Sequence, residues 1–166
     1  MNKKTVLIII SSILAAIILG IGIYVLITEV FSKNESYTNP TIVVENVEGK
    51  VGETVKVPVK VYKNPGVMAY LLNFEYDTSV LSYVDYESGD FLTDYQFSTH
   101  NGTLTFVNLE NQDVKEDGVM VYLKFRILET DKDKTEIKIN LNGQDAANRE
   151  EQYVKFEGRN GTVTIK

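Results

Sequence analysis

Two patterns of hydrophobic and polar residues divide this chain. The first is a run without a single charge, from Thr5 to Thr28, made mostly of Ile, Leu, Val and Ala, with Lys3-Lys4 before it and Glu29 after it. The second begins near Thr41: apolar and polar residues alternate over short segments separated by turn-forming residues. An unbroken run leaves a helix no polar face, so it predicts a helix buried all round. An alternation sends successive side chains to opposite faces of a strand, so it predicts half-buried β-structure.

The run holds 24 residues. As a helix it reaches roughly 36 Å at about 1.5 Å per residue, enough to span a bilayer core of about 30 Å with some tilt. Gly20 and Gly22 weaken a helix in water but are tolerated in lipid. Two readings compete. A cleaved signal peptide has a basic start, an apolar stretch of about 7–15 residues and a small-x-small cleavage site. The start fits. The stretch is too long, and its exit, Ile27-Thr28-Glu29-Val30-Phe31, offers no Ala-x-Ala pattern. The favoured expectation is an uncleaved anchor over residues 1–31, crossing the membrane with residues 5–28. Lys3 and Lys4 then stay in the cytoplasm by the positive-inside rule and the rest lies outside the cell. If the segment is cleaved, the rest is secreted.

Residues 32–40, polar, aperiodic and ending in Asn39-Pro40, read as a linker. Residues 41–166 then form the external domain. In 54–62, Val55, Val57, Val59 and Val61 share one face, while Lys56, Pro58 and Lys60 take the other. Pro58 has no N–H to donate, which puts that strand at a sheet edge there or bulges it. Asn64-Pro65-Gly66 turns the chain. In 67–76, Tyr70, Leu72, Phe74 and Tyr76 alternate against Ala69, Leu71, Asn73 and Glu75. Asp77-Thr78-Ser79 caps a single helical turn leading to Leu81. Further strands are expected over 41–47, 81–86, 95–99, 103–109, 119–128, 135–141, 153–157 and 162–166. Asn101-Gly102 gives the hairpin signal between the fifth and sixth in chain order. Short strands at this spacing without a long helical period predict an antiparallel β-sandwich.

Charge and composition narrow the function. The chain carries 17 Lys+Arg and 23 Asp+Glu, a formal net charge of −6. Setting aside Lys3, Lys4 and Glu29 leaves 15 basic and 22 acidic residues, about −7 on the rest. Such a surface argues against nucleic acid, which requires a basic face. Cysteine is absent, so no disulfide or thiolate site exists. The one histidine, His100, stands at a hairpin turn, and no nucleophile elbow, zinc-protease or phosphate-loop motif is present. Asp85, Glu87, Asp90 and Asp94 bracket one turn, and Glu110, Asp113, Glu116 and Asp117 another. Neither cluster has calcium-loop spacing, so both read as solvated loop charge. The lead is instead apolar. With Tyr70, Leu72 and Phe74 inward, Ala69 and Leu71 point out, and Thr105 and Val107 point out from 103–109. Apolar residues exposed on adjacent strands suggest a flat contact patch.

The motifs in order resemble a cohesin domain, the dockerin-binding module of cellulosomal scaffoldins. The residues that carry the resemblance are Val51-Gly52-Glu53-Thr54-Val55-Lys56-Val57-Pro58-Val59, Asn64-Pro65-Gly66-Val67, Phe74-Glu75-Tyr76-Asp77-Thr78-Ser79-Val80-Leu81, Ser88-Gly89-Asp90-Phe91-Leu92, Glu116-Asp117-Gly118-Val119 and the closing Asn160-Gly161-Thr162-Val163-Thr164-Ile165. The resemblance implies a nine-stranded jelly-roll sandwich, without catalysis and without a cofactor of its own. Calcium would belong to the dockerin, which folds around it. It implies a docking face on the strands carrying 67–76, 95–99, 103–109 and 119–128, with partner contacts at Ala69, Leu71, Asn73, Val107 and Glu110. Ala69 and Leu71 depart from the family pattern, which has Asn and Asp there. The departure points to a more apolar dockerin or to lost dockerin binding. The expectation is a cell-surface module that captures a dockerin-bearing protein, plausibly one that degrades polysaccharide. Two alternatives stay open. One is a carbohydrate-binding sandwich using Tyr83, Tyr86 or Tyr95, which the absence of Trp weakens. The other is a structural ectodomain packed on a membrane or envelope partner.

Overall fold

The structure, a computed structural model, describes residues 37–91, 95–98 and 102–166. The expected membrane helix, Asp94 and His100 lie outside the described residues. Among the described residues no helix is long and apolar enough to cross a membrane. The alternating segments form strands: β1 (Thr41–Val44), β2 (Val47–Gly49), β3 (Thr54–Tyr62), β4 (Ala69–Tyr76), β5 (Leu81–Ser88), β6 (Tyr95–Ser98), β7 (Thr103–Val107), β8 (Gly118–Ile127), β9 (Lys134–Asn140), β10 (Ala146–Ala147), β11 (Glu157–Arg159) and β12 (Gly161–Ile165). They make two sheets. One runs β11-β1-β3-β8-β5; the other runs β2-β12-β9-β4-β7-β6, with β10 also paired to β4.

The core lies between the inward rows. Val55, Val57, Val59 and Val61 of β3 and Val121, Leu123, Phe125 and Ile127 of β8 face Tyr70, Leu72 and Phe74 of β4, Leu104 and Phe106 of β7 and Ile137 of β9. Each is buried, and full burial of such a side chain contributes about 1.5–3 kcal/mol. Asp77 makes the single turn that its sequence announces. Its backbone carbonyl accepts from Val80 and Leu81 N–H, and its side chain accepts from Ser79 N at 2.9 Å. The Lys132 ammonium and Ser79 beside it hold the Asp77 carboxyl at about 2.

The resemblance implies nine strands and the alternation ten, and the structure forms twelve among the described residues, for a physical reason. The single strand expected over 41–47 breaks at Glu45-Asn46, so β1 joins one sheet and β2 the other. The chain does the same near its end, where Asn160 separates β11 from β12. β1 pairs β11 in parallel and β2 pairs β12 in parallel, so the two segments change sheets side by side. Thr162 N donates to Asn46 Oδ1 at 2.8 Å at this crossing. A Cβ at Gly161 would lie 2.7 Å from the Val44 carbonyl oxygen, so only glycine lets the segments approach this closely. The other addition is the two-residue β10, and the strand expected over 153–157 forms instead at 157–159 as β11, because Tyr153 makes only an isolated bridge to Ala147.

Pro58 belongs to an interior strand. β3 lies between β1 and β8, but β1 ends opposite Val59, and Glu45 N donates to the Pro58 carbonyl at 2.9 Å. The missing N–H therefore faces a place where no strand continues. The register with β8 shifts one step later, between Val59 and Lys60. A second bulge lies between Tyr83 and Asp85. It leaves Val84 outside, 52% exposed, and lets Tyr83 and Tyr86 both pack toward the core.

Candidate functional site

The outward face of β4 and β7 is fixed by their register. Ala69 lies opposite Val107, Leu71 opposite Thr105 and Asn73 opposite Thr103. Opposed residues of an antiparallel pair share a face, with Cβ atoms about 4.5–5.5 Å apart. Because Tyr70, Leu72 and Phe74 are buried, the intervening residues face out. Leu71 remains 43% exposed, Val107 42% and Leu109, just past β7, 86%. Ala69 is half-buried, and so is Asn73, whose Oδ1 accepts from Thr103 Oγ1 at 2.9 Å. The four sequence-predicted strand residues thus lie together as two adjoining columns, polar at the Asn73–Thr103 end and apolar at the Ala69–Val107 end.

Glu110 stands beyond β7, exposed, on a turn that Asn108 makes: Glu110 N donates to Asn108 Oδ1 at 3.0 Å. The loop of residues 108–117 is tied down from three sides. Asn64 Nδ2 donates to the carbonyls of Val114 and Glu116. The Asp117 carboxylate accepts from Lys63 N and Asn64 N. Arg149 Nη2 donates to the Asn108 carbonyl, and Arg149 N donates to Asp113 Oδ1, both at 2.9 Å. Asp113 and Asp117 are therefore loop fasteners. Between this loop and Phe91 and Phe106 lies a groove of about 310 Å³ with Glu110, Asp113 and Glu116 on its lip. In the other cluster, Asp90 accepts from Val119 N, while Glu87 pairs with Lys56 at 2.8 Å and Asp85 lies 3.8 Å from Lys124. Among the described residues no group of three or more His, Asp or Glu is placed to hold a metal ion.

One strand expected on this face is elsewhere. The segment predicted over 119–128 is β8, which pairs with β3 and β5 in the opposite sheet; β9 flanks β4 instead, with Asn73 opposite Asn140 and Glu75 opposite Lys138. The reason is that β8 has inward residues at every second position and two flanking strands, as β9 does, and alternation alone does not say which sheet a strand joins. The outer face of β8 is a charged ladder. Lys56 stands 4.4 Å over the Tyr122 ring and, by hydrogen bonding, holds the Glu87 carboxyl below the usual carboxylate range. At Lys60 burial acts to lower the ammonium's pKa, but the bonded Glu45 carboxylate outweighs it and the net shift is upward. The Tyr83 ring meets Phe125 edge-on at 5.8 Å, and burial first, then Asp85, pushes its hydroxyl pKa up. Two residues missed by the sequence reading join the apolar end: Leu109, and Tyr153, which is 63% exposed and bridges Ala147 beside Ala69.

Two sheets packed on one core, one carrying an apolar patch on its outward face, define a sandwich-type recognition module. The model of the cohesin domain family matches residues 40–165, and the chain belongs to that family. Cohesin domains are protein-binding modules and not enzymes. No curated protein matches the chain. Among solved structures, the CaDoc0917–CaCohA2 complex, whose CaCohA2 is from Clostridium acetobutylicum, superposes with a TM-score of 0.69 at 22% identity, over 77% of this chain and 100% of that one. A type I cohesin–dockerin complex from Clostridium thermocellum, Coh-OlpA-Doc918, gives 0.67 at 17% identity, over 78% and 100%. A non-cellulosomal cohesin from the archaeon Archaeoglobus fulgidus gives 0.61 at 24% identity, over 78% and 92%. These likenesses establish the fold.

Proposed function

We propose that this chain is a cell-surface cohesin that captures a dockerin-bearing protein on the outward face of β4 and β7, with Ala69, Leu71, Asn73, Val107 and Glu110 as contacts. The observation that carries the reading is the exposure of Leu71 and Val107 on adjacent strands of one sheet, diagonal across the Ala69–Val107 and Leu71–Thr105 pairs, in a chain whose family binds proteins. Structures of similar fold are complexes of cohesins with dockerins, which supports the choice of partner. Residues 5–28 hold the module on the membrane with its binding domain outside the cell, and the captured protein acts on polysaccharide near the surface. The mechanism is binding alone: an apolar centre desolvates on contact, and the acidic lip steers a basic partner.

The test is capture by the full chain of a panel of calcium-loaded dockerins. At least one should be retained, and chelation should release it, because a dockerin depends on calcium for its fold. A folded chain that retains none refutes dockerin capture. Fractionation of cells with protease added outside tests the placement: an intact membrane-bound chain whose domain is shaved from outside is expected, and a protected or freely soluble chain overturns it.

A further inference from the structure

Asn-Gly pairs occur three times in this chain, at 101–102, 142–143 and 160–161. In such a pair the glycine nitrogen can close a five-membered ring on the asparagine amide carbon, and no Cβ on the glycine stands in the way. Asn101 lies outside the described residues. Asn142 and Asn160 are both exposed, but they are held very differently.

Asn160 is locked. Its Oδ1 accepts from Ile139 N at 3.1 Å, and its Nδ2 donates to Glu136 Oε1 at 3.2 Å. The glycine after it, Gly161, is buried and sits against the carbonyls of Val44 and Glu45. Asn142 has no such fastening. Neither its Nδ2 nor the Gly143 N–H makes a hydrogen bond with any described residue, and Gly143 is exposed. Asn142 Oδ1 accepts from Gln144 N at 2.9 Å, an Asx turn. That donor stands at the oxygen on which negative charge develops when a nucleophile adds to the amide carbon. The fold does not require the glycine. Alone among the described glycines, Gly143 has neither a φ in the left-handed region nor any non-neighbouring atom within 4 Å of where a Cβ would lie.

We propose that Asn142-Gly143 is a self-modification site, at which the chain converts Asn142 to aspartate and isoaspartate without an enzyme, and that this conversion loosens the turn anchoring β4. Solvent hydroxide takes the Gly143 amide proton. The nitrogen adds to Asn142 Cγ, and the Gln144 N–H holds the charge on Oδ1. The Cγ–Nδ2 bond breaks, and ammonia leaves with a proton from water, closing a succinimide. Water then opens the ring. Cleavage between the ring nitrogen and Cγ gives aspartate; cleavage between that nitrogen and the Asn142 backbone carbonyl carbon gives isoaspartate. Nothing is oxidised or reduced.

The turn is tied to the sandwich through Asp145. Asn142 N donates to Asp145 Oδ2 at 2.6 Å, Asp145 N donates to the Asn142 carbonyl at 3.2 Å, and the Asp145 carbonyl accepts from Leu71 N at 2.7 Å. Asp145 is only 6% exposed. Either product sets a second carboxylate beside this buried one, and like charges repel most where water is excluded. Isoaspartate also adds a carbon to the main chain, which displaces the Asn142 carbonyl from Asp145 N. The Leu71 N–H then opens more often.

The full chain is incubated in mildly alkaline buffer and mapped by peptide mass spectrometry, with methyltransferase labelling of isoaspartate; amide exchange at Leu71 is read alongside. Asn142 should convert to both products while Asn160 stays intact. Leu71 should exchange about fivefold faster in the converted fraction. Gly143→Ala meets open space, so the variant should melt as the parent does, while its added methyl hinders ring closure and slows conversion about tenfold. Equal conversion of Asn142 and Asn160 overturns the site. So does conversion that Gly143→Ala leaves at the parent's rate, or an Asn142 that stays intact for as long as the urea-unfolded chain takes to convert it. Conversion that leaves Leu71 exchange unchanged overturns the coupling to β4.

Discussion

Leu71 offers the sharpest test of the docking face, because its two sides are energetically separate. Its backbone N–H donates to the Asp145 carbonyl at 2.7 Å, so the strand is anchored whatever the side chain. The side chain points away from the core and keeps 43% of its surface exposed. Full burial of a leucine is worth about 1.5–3 kcal/mol. A partner can remove from water only the part still exposed, about 1 kcal/mol, which is roughly fivefold in Kd. Leu71→Ala should therefore weaken dockerin binding about fivefold. Leu71→Asp does more, since a seated partner would strip water from a carboxylate. The cross-strand neighbour Thr105 supplies at most one hydroxyl to that carboxylate, leaving a penalty of about 3 kcal/mol or more and a loss beyond about 100-fold. Neither variant disturbs the core, so thermal midpoints should fall by no more than a few degrees. The assay is calorimetric titration of the captured dockerin into each variant, with melting curves alongside. Equal affinities for the parent and Leu71→Asp would refute the docking face, and equal losses for alanine and aspartate would refute the desolvation argument.

Other outcomes follow from particular contacts. Gly89→Ala would place a Cβ 2.0 Å from the Val119 carbonyl oxygen and 2.5 Å from that of Met120; since both are strand backbone, we expect a loss of about 2 kcal/mol or more in denaturant unfolding. Asn64→Ala strips hydrogen bonds from Val114, Glu116 and Gly66 and should cost about 1–3 kcal/mol, with faster amide exchange across residues 108–117 as its specific readout. The Asp77 carboxyl titrates near 2 in the folded chain, below its ordinary 3.8. Its stabilisation is thus complete above about pH 4 and is lost as pH falls toward 2. Asp77→Asn should flatten that part of the acid-unfolding profile, and an unchanged profile would assign the acid sensitivity elsewhere.

Much of the sandwich is legible in the chain because its strands obey a strict period of two. Val55 to Val61 and Tyr70 to Phe74 declare their buried faces, and the same parity gives Ala69, Leu71 and Val107 their outward direction. The hairpin at Gly102 is equally readable. Its φ is +63°, and a Cβ there would strike the Phe74 carbonyl at 2.3 Å. What parity does not encode is which strand lies beside which. β8 and β9 present similar patterns, and only packing decides that β9 borders β4. Tyr153 escaped notice for the same reason. It lies more than eighty residues from Ala69, and its place near that residue depends on two pairings of β10, a strand too short to show any period. The break at Glu45-Asn46 is also silent in sequence, because apolar residues lie on both sides of it.

The joint crossing of β1–β2 with β11–β12 has a mechanical consequence. The first strands of the sandwich run parallel to its last ones. A force drawing Thr41 and Ile165 apart pulls β1 toward its beginning and β12, with β11 behind it, toward its end. Parallel neighbours are then dragged in opposite directions, and their hydrogen bonds meet the force together in shear instead of opening one after another. Against a pull between its two ends, a module built this way resists as one clamp and not strand by strand.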